Sequence, residues 1–235
     1  MVTGIVAIKG ALKIRNTTGQ ERLQWVIISL ITTVLTCTVV VSSDLNDFLV
    51  NLSFVLFLFA FVPFIYAILH GARPSRSSWL IWATLDIITF FGMVATNAIN
   101  SQIVGTMIGI VIVAPFVLKF GKPGWSRLDI TCMSGAALGI IVWKMTANPI
   151  WAMVICQSIG FFGSWPGFHN VWVTPGNDSK WGWLMCFIST ILMFVTMKSW
   201  TPEHWIQPAG FLSVQSTFMF LLWIRPWWKN KYEKG

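Results

Sequence analysis

Asp86 is the residue of this 235-residue chain whose type and position offer the most chemistry. It lies inside a long apolar stretch, seven positions after the tryptophan at which that stretch begins, Trp79. If the stretch crosses a membrane, a charged carboxyl at that depth costs roughly 3 kcal/mol or more unless it is protonated, paired or hydrated. Such a group can accept a proton that drives solute uptake, or it can bind a cationic or hydroxyl-bearing solute. The alternative is a neutral aspartic acid that makes a structural hydrogen bond to a neighbouring helix.

Other polar side chains lie at comparable depth in other apolar stretches. The candidates for contact with a solute are Thr106, Gln157, Thr190 and Gln215. Hydrogen bonds between helices explain each of them as well as contact with a solute does. Together with Asp86 they form the predicted substrate-binding set. Three further polar residues are expected near one membrane surface, where wetting or a gate explains them equally well: Asn97, Asn100 and Gln102.

The elements that must position these residues are membrane-spanning helices. Apolar residues make up 55% of the chain and charged residues only 10%, too few to cover a water-soluble surface. The apolar runs are continuous and do not alternate as the strands of a barrel would, so the predicted fold class is an all-α integral membrane protein. Eight stretches have the length that a bilayer requires, and we number them spans 1 to 8: 25–43, 47–70, 79–97, 101–120, 128–146, 149–172, 181–200 and 206–225.

Basic residues are distributed unequally between the loops. If the chain begins in the cytoplasm, fourteen Lys and Arg residues fall on that side, and only Lys144 and Lys198 fall on the other. A missing or misplaced span would scramble this split, because every later loop would change sides. We therefore predict cytoplasmic termini and a location in the plasma membrane, which in a bacterium is the inner membrane. The dispersed basic residues also argue against nucleic-acid binding and favour contact with anionic lipid.

The two halves of the chain repeat one pattern, in which a proline-bearing apolar segment runs through a polar loop into an apolar segment led by Trp-Leu. Pro63 and Trp79 match Pro166 and Trp183 at offsets of 103 and 104. Two further pairs follow at an offset of 105: Gln102 with Gln207, and Gly105 with Gly210. Spans 2–4 and 6–8 are therefore predicted to form two parallel three-helix bundles joined by span 5, a 3+1+3 arrangement.

The repeat has two consequences inside the spans. Asp86 aligns with Thr190 at an offset of 104, which makes the predicted solute cavity asymmetric. Gly135 and Gly139 lie on the linker span, where small residues let helices pack closely.

The repeat divides the chain into six segments. They are a basic N-terminal segment at 1–24, an additional span at 25–43, the first repeat at 47–120, the linker helix at 127–146, the second repeat at 149–225 and a basic tail at 226–235. The N-terminal segment suits either a short amphipathic helix on the inner leaflet or a frayed tail. The additional span suits either an anchor or a contact in a homo-oligomer.

These prolines, polar loops and tryptophans resemble the PQ-loop superfamily of membrane carriers. That superfamily includes the SWEET and SemiSWEET sugar carriers and lysosomal amino-acid carriers such as cystinosin. The resemblance covers about residues 47–225. The chain departs from the family pattern at Phe64 and Gly167, which replace the glutamines of the motif, and in the additional span before the first repeat.

The resemblance implies a transporter of a small solute, such as a sugar, an amino acid or a small organic acid, that works by alternating access. It implies that spans 3, 4, 7 and 8 hold the solute and that Pro63 and Pro166 act as hinges. Proline removes a backbone hydrogen bond and weakens its helix, although a static kink would have the same sequence. The KDEL receptor has a related architecture, so a receptor or accessory subunit is the alternative function.

The residue types that enzymes and cofactor proteins need are scattered. The four cysteines and three histidines lack metal-ligand spacing, and no two carboxylates share one predicted depth. Span 8 lacks the lysine that a retinal protein requires. We therefore predict a protein that is not an enzyme and has no metal or cofactor, and whose partners are a small-molecule substrate and the lipid bilayer.

Overall fold

The computed structural model describes residues 44–173 and 178–226. The N-terminal segment at 1–24, span 1 at 25–43 and residues 227–235 of the basic tail lie outside the described residues. Within them the structure is all-helical, and no strand is present. The helices are α1 Leu45–Leu69, α2 Arg76–Ala95, α3 Ser101–Phe120, α4 Arg127–Thr146, α5 Pro149–Gly163, α6 Trp165–Val173, α7 Lys180–Val195 and α8 Pro202–Met219. A π-helical turn, Phe220–Ile224, continues α8.

Four helices, α1 to α4, are long and apolar enough to cross a bilayer. Helix α7 is also apolar but has only 16 residues. Many apolar side chains on the four long helices point away from the rest of the protein: Val111 is 74% exposed and Met145 is 80% exposed. Helices with so much outward apolar surface are typical of contact with lipid. The structure therefore indicates a membrane protein, while the count of eight spans and the 3+1+3 arrangement stay predictions.

Polar side chains cap the helices and fix where they begin. Ser75, Asn100 and Ser179 each accept a hydrogen bond from the backbone amide three residues later, at the starts of α2, α3 and α7. Ser126 forms a capping box with Asp129 at the start of α4. Each cap satisfies a backbone donor that the first helical turn leaves free, which stabilises the helix by about 1 kcal/mol.

The predicted span 6 is not one continuous helix. Helix α5 ends at Gly163, and α6 starts again at Trp165 after a single non-helical residue, Ser164. The Ser164 amide and hydroxyl both donate to the carbonyl of Gly160. Pro166 has no amide hydrogen to donate to the carbonyl one turn earlier, so the hydrogen-bond pattern of a continuous helix is broken near this point. Pro63, by contrast, lies inside the unbroken helix α1.

The described residues from Ser53 onward form one compact unit, in which α5 packs against α2, α4 and α8. The contact with α4 depends on small residues, as the sequence predicts. A Cβ added at Gly135 would lie 2.7 Å from the Cδ1 atom of Ile159. Gly109 of α3 similarly leaves room for the ring of Phe61 on α1. These close approaches bring the backbones of the helices near enough for short polar side chains to bridge them.

Candidate solute site

Five polar side chains on α3, α7 and α8, including the N-cap residue of α3, form a hydrogen-bonded chain. We call it the glutamine network, and its members are Asn100, Gln102, Thr190, Gln207 and Gln215. Asn100 Nδ2 donates to Gln207 Oε1 at 2.8 Å, and Gln207 Nε2 donates to Gln102 Oε1 at 3.2 Å. Gln102 Nε2 donates to Thr190 Oγ1 at 2.5 Å, and Thr190 Oγ1 donates to Gln215 Oε1 at 2.6 Å. Gln102, Thr190, Gln207 and Gln215 are no more than 3% exposed. The network therefore joins three helices, and every member except Asn100 is buried.

Local structure positions the members of the network. Asn100 accepts a hydrogen bond from the Ile103 amide as the cap of α3, and this leaves its side-chain amide free to reach α8. Thr106 lies one turn further along α3, and its hydroxyl donates to the carbonyl of Gln102 at 2.9 Å. Thr106 is thus buried next to the network but satisfied within its own helix. The structure brings the predicted residues Thr190 and Gln215 into direct contact and leaves Thr106 at the edge.

A second polar contact joins α2 and α5. Gln157 Nε2 donates to Thr89 Oγ1 at 3.0 Å. Gly210 of α8 packs directly on the side chain of Gln157, and a Cβ at that position would overlap the Gln157 amide oxygen. Helix α8 therefore contacts the pair formed by Gln157 and Thr89, and it also carries two members of the glutamine network, Gln207 and Gln215. The predicted residue Gln157 belongs to this second contact and does not bond to Thr190 or Gln215.

Asp86 lies on α2, one turn before Thr89. Its side chain is partly buried, and within the described residues no hydrogen bond reaches its carboxyl. It is close enough to Cys156 of α5 for the two groups to interact electrostatically. A charged carboxyl among apolar helices is costly unless it is paired, hydrogen-bonded or hydrated. Four of the five predicted residues thus lie in two places: Asp86 and Gln157 at the contact of α2 with α5, and Thr190 and Gln215 in the glutamine network. Thr106 lies beside the network.

Two serines bind α1 to α7 beside the glutamine network. Ser53 donates to the carbonyl of Ser189 at 2.9 Å, and Ser189 donates to the carbonyl of Ser53 at 2.7 Å. Both side chains are fully buried. Reciprocal bonds of this kind require the two backbones to approach closely, which small residues allow. They hold α7 in place at the residue that directly precedes Thr190.

An aromatic cluster fills the space between the starts of α2 and α7. The ring of Phe64 makes edge contacts with Trp79 at 6.4 Å and with Trp183 at 5.5 Å between centroids. Trp183 stacks on Phe218 at 3.7 Å, and Phe218 contacts Phe168 at 4.9 Å. The two tryptophans that the sequence repeat pairs therefore contact the same phenylalanine. This end of the helices is closed by apolar rings.

Asp178 is the acidic residue of the loop before α7, outside the predicted spans. Its carboxyl accepts a hydrogen bond from the Ser179 amide at 2.7 Å. Burial raises the pKa of Asp178, and this bond opposes the rise without cancelling it. The loop before α7 therefore holds a carboxyl that takes up a proton more readily than usual.

Sequence reasoning missed several residues of this arrangement. Gln102 and Gln207 were visible as a matched pair of the repeat, but their direct hydrogen bond was not predicted. Ser53 and Thr89 gave no signal, because single hydroxyl residues are common inside membrane helices. In the described ranges, no three His, Cys, Asp or Glu side chains come together where they could hold a metal ion. The chain matches no protein-family model, no curated protein and no solved structure.

Proposed function

We propose that this chain is a transporter of a small polar solute, such as a sugar, an amino acid or a small organic acid, that works by alternating access. The observation that carries the proposal is the buried glutamine network. Polar side chains inside apolar helices are expensive, and they commonly mark the path of a solute or an ion. The amide and hydroxyl groups of the network bond to one another in this structure. A polar solute would replace those bonds with hydrogen bonds to its own polar groups.

Matching contacts between the halves support the repeat on which this mechanism depends. Ser53 of α1 bonds to Ser189 of α7, and Gln157 of α5 bonds to Thr89 of α2. Each contact joins the first helix of one proposed triplet to the second helix of the other, and Ser53 and Gln157 are 104 positions apart. Such cross-packing is expected of two parallel repeats related by an axis along the membrane normal.

A second pair of matching contacts between the two proposed repeats lies near the loops on one side of the helices. The Arg76 side chain donates to the carbonyl of Lys119, and the Trp223 side chain donates to the carbonyl of Lys180. Both pairs are separated by 43 positions, and Arg76 and Lys180 lie 104 positions apart. The cations at this side support our assignment of the loops and termini to the cytoplasm of a plasma membrane, or of the inner membrane in a bacterium.

The second helices of the two proposed triplets, α2 and α7, differ in length by about one helical turn. Helix α2 has 20 residues and α7 has 16, while Thr96 and Thr196 end them with the same pattern of hydrogen bonds. Counting from the helix starts pairs Asp86 with Thr190, whereas counting from the ends pairs Asp86 with Cys186. In either alignment the second half has no acid at this position, so the proton site that we propose is present in one half only.

The mechanism that we infer begins from the closed arrangement described above. To admit a solute, the bonds from Thr190 to Gln102 and Gln215 would have to open, and the solute would replace them. The interruption at Ser164, next to Pro166, supplies a flexible point at the end of α5. Pro63 lies in a continuous helix, so its hinge role depends on the weakened backbone alone.

Asp86 is the group that we propose couples transport to protons. The test is uptake into vesicles that contain the reconstituted full chain, with and without a pH gradient. Asp86→Asn should abolish the dependence of uptake on pH while the melting temperature stays close to that of the wild type. Wild-type uptake that does not change with pH would reject proton coupling. A thermal-shift screen of sugars, amino acids and organic acids identifies the solute for this assay, since a ligand stabilises the state that it binds.

A receptor or accessory subunit on the same scaffold is the second candidate. The observation that favours it is that the glutamine network is satisfied by its own members, as expected of bonds that hold helices together. A protein of this kind would bind its ligand without moving it. Solute binding in the thermal-shift screen, together with no counterflow in vesicles, would support this function over transport.

A further inference from the structure

A groove runs between α2 and α3 on the outer surface of the helices, at the end where the loops carry many cations. Arg76 is the one charged residue among the described residues that line it, and the surface that they present to the groove is entirely apolar. The ones that matter here are Trp79 and Ala83 of α2 and Ile110, Ala114 and Leu118 of α3. This apolar groove has a volume of about 30 Å³, so it suits contact with a short part of a hydrocarbon chain and offers nothing to a polar solute.

The guanidinium of Arg76 is only partly satisfied. One terminal nitrogen donates to the carbonyl of Lys119 at 3.3 Å. The Nε atom is buried and has no hydrogen-bond partner among the described residues. Because a guanidinium carries five N–H donors, several remain available to an oxygen-rich group at the mouth of the groove. The Nε atom is therefore unsatisfied, and the donors that an external acceptor could reach are those of the terminal nitrogens.

Other cations surround this mouth. The loops before α2 and after α3 are held together by backbone bonds, from the Arg76 amide to the Lys122 carbonyl at 3.1 Å and from the Lys122 amide to the Pro74 carbonyl at 2.9 Å. Arg73, Lys119 and Lys122 are exposed on these segments. In the described part of the chain, neither they nor Arg76 form an ion pair with a carboxylate.

The acidic residue at the start of α4, Asp129, already accepts hydrogen bonds from within the protein. Asp129 accepts hydrogen bonds from the Ser77 hydroxyl at 2.8 Å and from the Ser126 amide at 2.7 Å. Its side chain is buried within the cap of α4. Asp129 is thus held in the cap of α4, and the described cations at this end of the groove form no ion pair with it.

We propose that this groove is a binding site for an anionic phospholipid. One acyl chain lies along Ala83, Ile110 and Ala114, and the phosphate accepts hydrogen bonds from the Arg76 guanidinium. Planar N–H donors of arginine match phosphate oxygens in a bidentate geometry. Lys119 and Lys122 add attraction for the negative headgroup, in the way that basic residues next to a membrane attract anionic lipid. This site lies on the outside of α2 and α3 and is separate from the glutamine network.

The test is native mass spectrometry of the full chain in a neutral detergent, titrated with phosphatidylglycerol or with phosphatidylcholine. The wild type should bind phosphatidylglycerol at least about five-fold more tightly than phosphatidylcholine, and Arg76→Gln should remove that preference. Ala114→Phe should weaken both lipids, since the added ring occupies the groove. Arg127→Gln is the matched control, because it removes an exposed cation from the same end of the helices without touching the groove.

Three outcomes of the lipid titrations would overturn the proposal. They are equal binding of the two lipids by the wild type, equal losses for Arg76→Gln and Arg127→Gln, and full binding by Ala114→Phe. If Arg76→Gln does not fold, Arg76→Lys takes its place in the test. Lysine keeps the positive charge but lacks the planar pair of N–H donors, so this variant should retain only part of the preference for phosphatidylglycerol. Glycerol 1-phosphate should not displace the bound lipid, since it lacks the chain that the groove holds; displacement would refute a lipid site.

Discussion

Replacing Thr190 with valine should break the glutamine network at its centre. The Thr190 hydroxyl accepts from Gln102 at 2.5 Å and donates to Gln215 at 2.6 Å. Valine has nearly the same shape but no hydroxyl, so one buried amide donor and one buried amide oxygen lose their partners. Both glutamines are almost completely buried, and water cannot replace the lost bonds without a rearrangement of α3 and α8.

The magnitude follows from what such bonds contribute inside membranes. Hydrogen bonds between membrane helices contribute about 0.6 kcal/mol on average and at most about 1.7 kcal/mol. Two are lost here and both are fully buried, so we expect Thr190→Val to destabilise the protein by about 2 kcal/mol. For a chain of this size that corresponds to a fall in melting temperature of about 4–8 °C.

The assay is thermal unfolding in detergent, followed by tryptophan fluorescence. Thr190→Ser is the matched control, because it keeps the hydroxyl and loses only a methyl group. The double variant Thr190→Val with Gln215→Leu should be less destabilised than the sum of the two single changes, since it removes one of the orphaned groups. The reasoning is refuted if Thr190→Val melts within about 1 °C of Thr190→Ser, which is less than the loss of one such bond should cause.

Three further perturbations test other parts of the structure. Gly210→Ala should destabilise the protein by about 1–3 kcal/mol, because the new methyl group overlaps Gln157. Gly105→Ala is the control and should be close to neutral, because the nearest atom to its new methyl group would be 3.4 Å away. The melting temperatures of the two variants measure this difference. Pro166→Ala should increase the protection of amides near Ser164 in hydrogen exchange and slow uptake, and unchanged exchange would argue against a hinge there. Asp178→Asn should stabilise the protein increasingly as the pH rises from about 4 to 7, because the raised pKa of Asp178 means that the folded state holds a proton that the unfolded state has released. A difference in melting temperature that stays constant over this range would contradict that explanation.

The positions of the long helices could be predicted from the sequence. Span 4 at 101–120 coincides with α3, and span 5 at 128–146 differs from α4 by one residue. Apolar length and capping residues decide these boundaries, and both are local properties of the sequence. The interruption at Ser164 was not predicted, although Pro166 was identified, because a proline can equally be accommodated inside a helix, as Pro63 is.

The contacts within the candidate site could not be predicted with the same success. The depth of a polar residue follows from its position along a helix, and in this way Thr190 and Gln215 were both selected. Its partner depends on how each helix is rotated about its axis. Helices that are apolar on nearly every side give little indication of that rotation. The sequence therefore did not distinguish the network around Thr190 from the contact between Gln157 and Thr89.

The shortness of α7 has a consequence for the membrane around the protein. Sixteen helical residues extend about 24 Å, whereas the 20 residues of α2 extend about 30 Å, the usual thickness of the hydrocarbon layer. Lipids beside α7 would have to compress, and those beside α2 would not. If α7 crosses the membrane as predicted, the protein should therefore be most stable where the hydrocarbon layer is thinner beside α7 than beside α2.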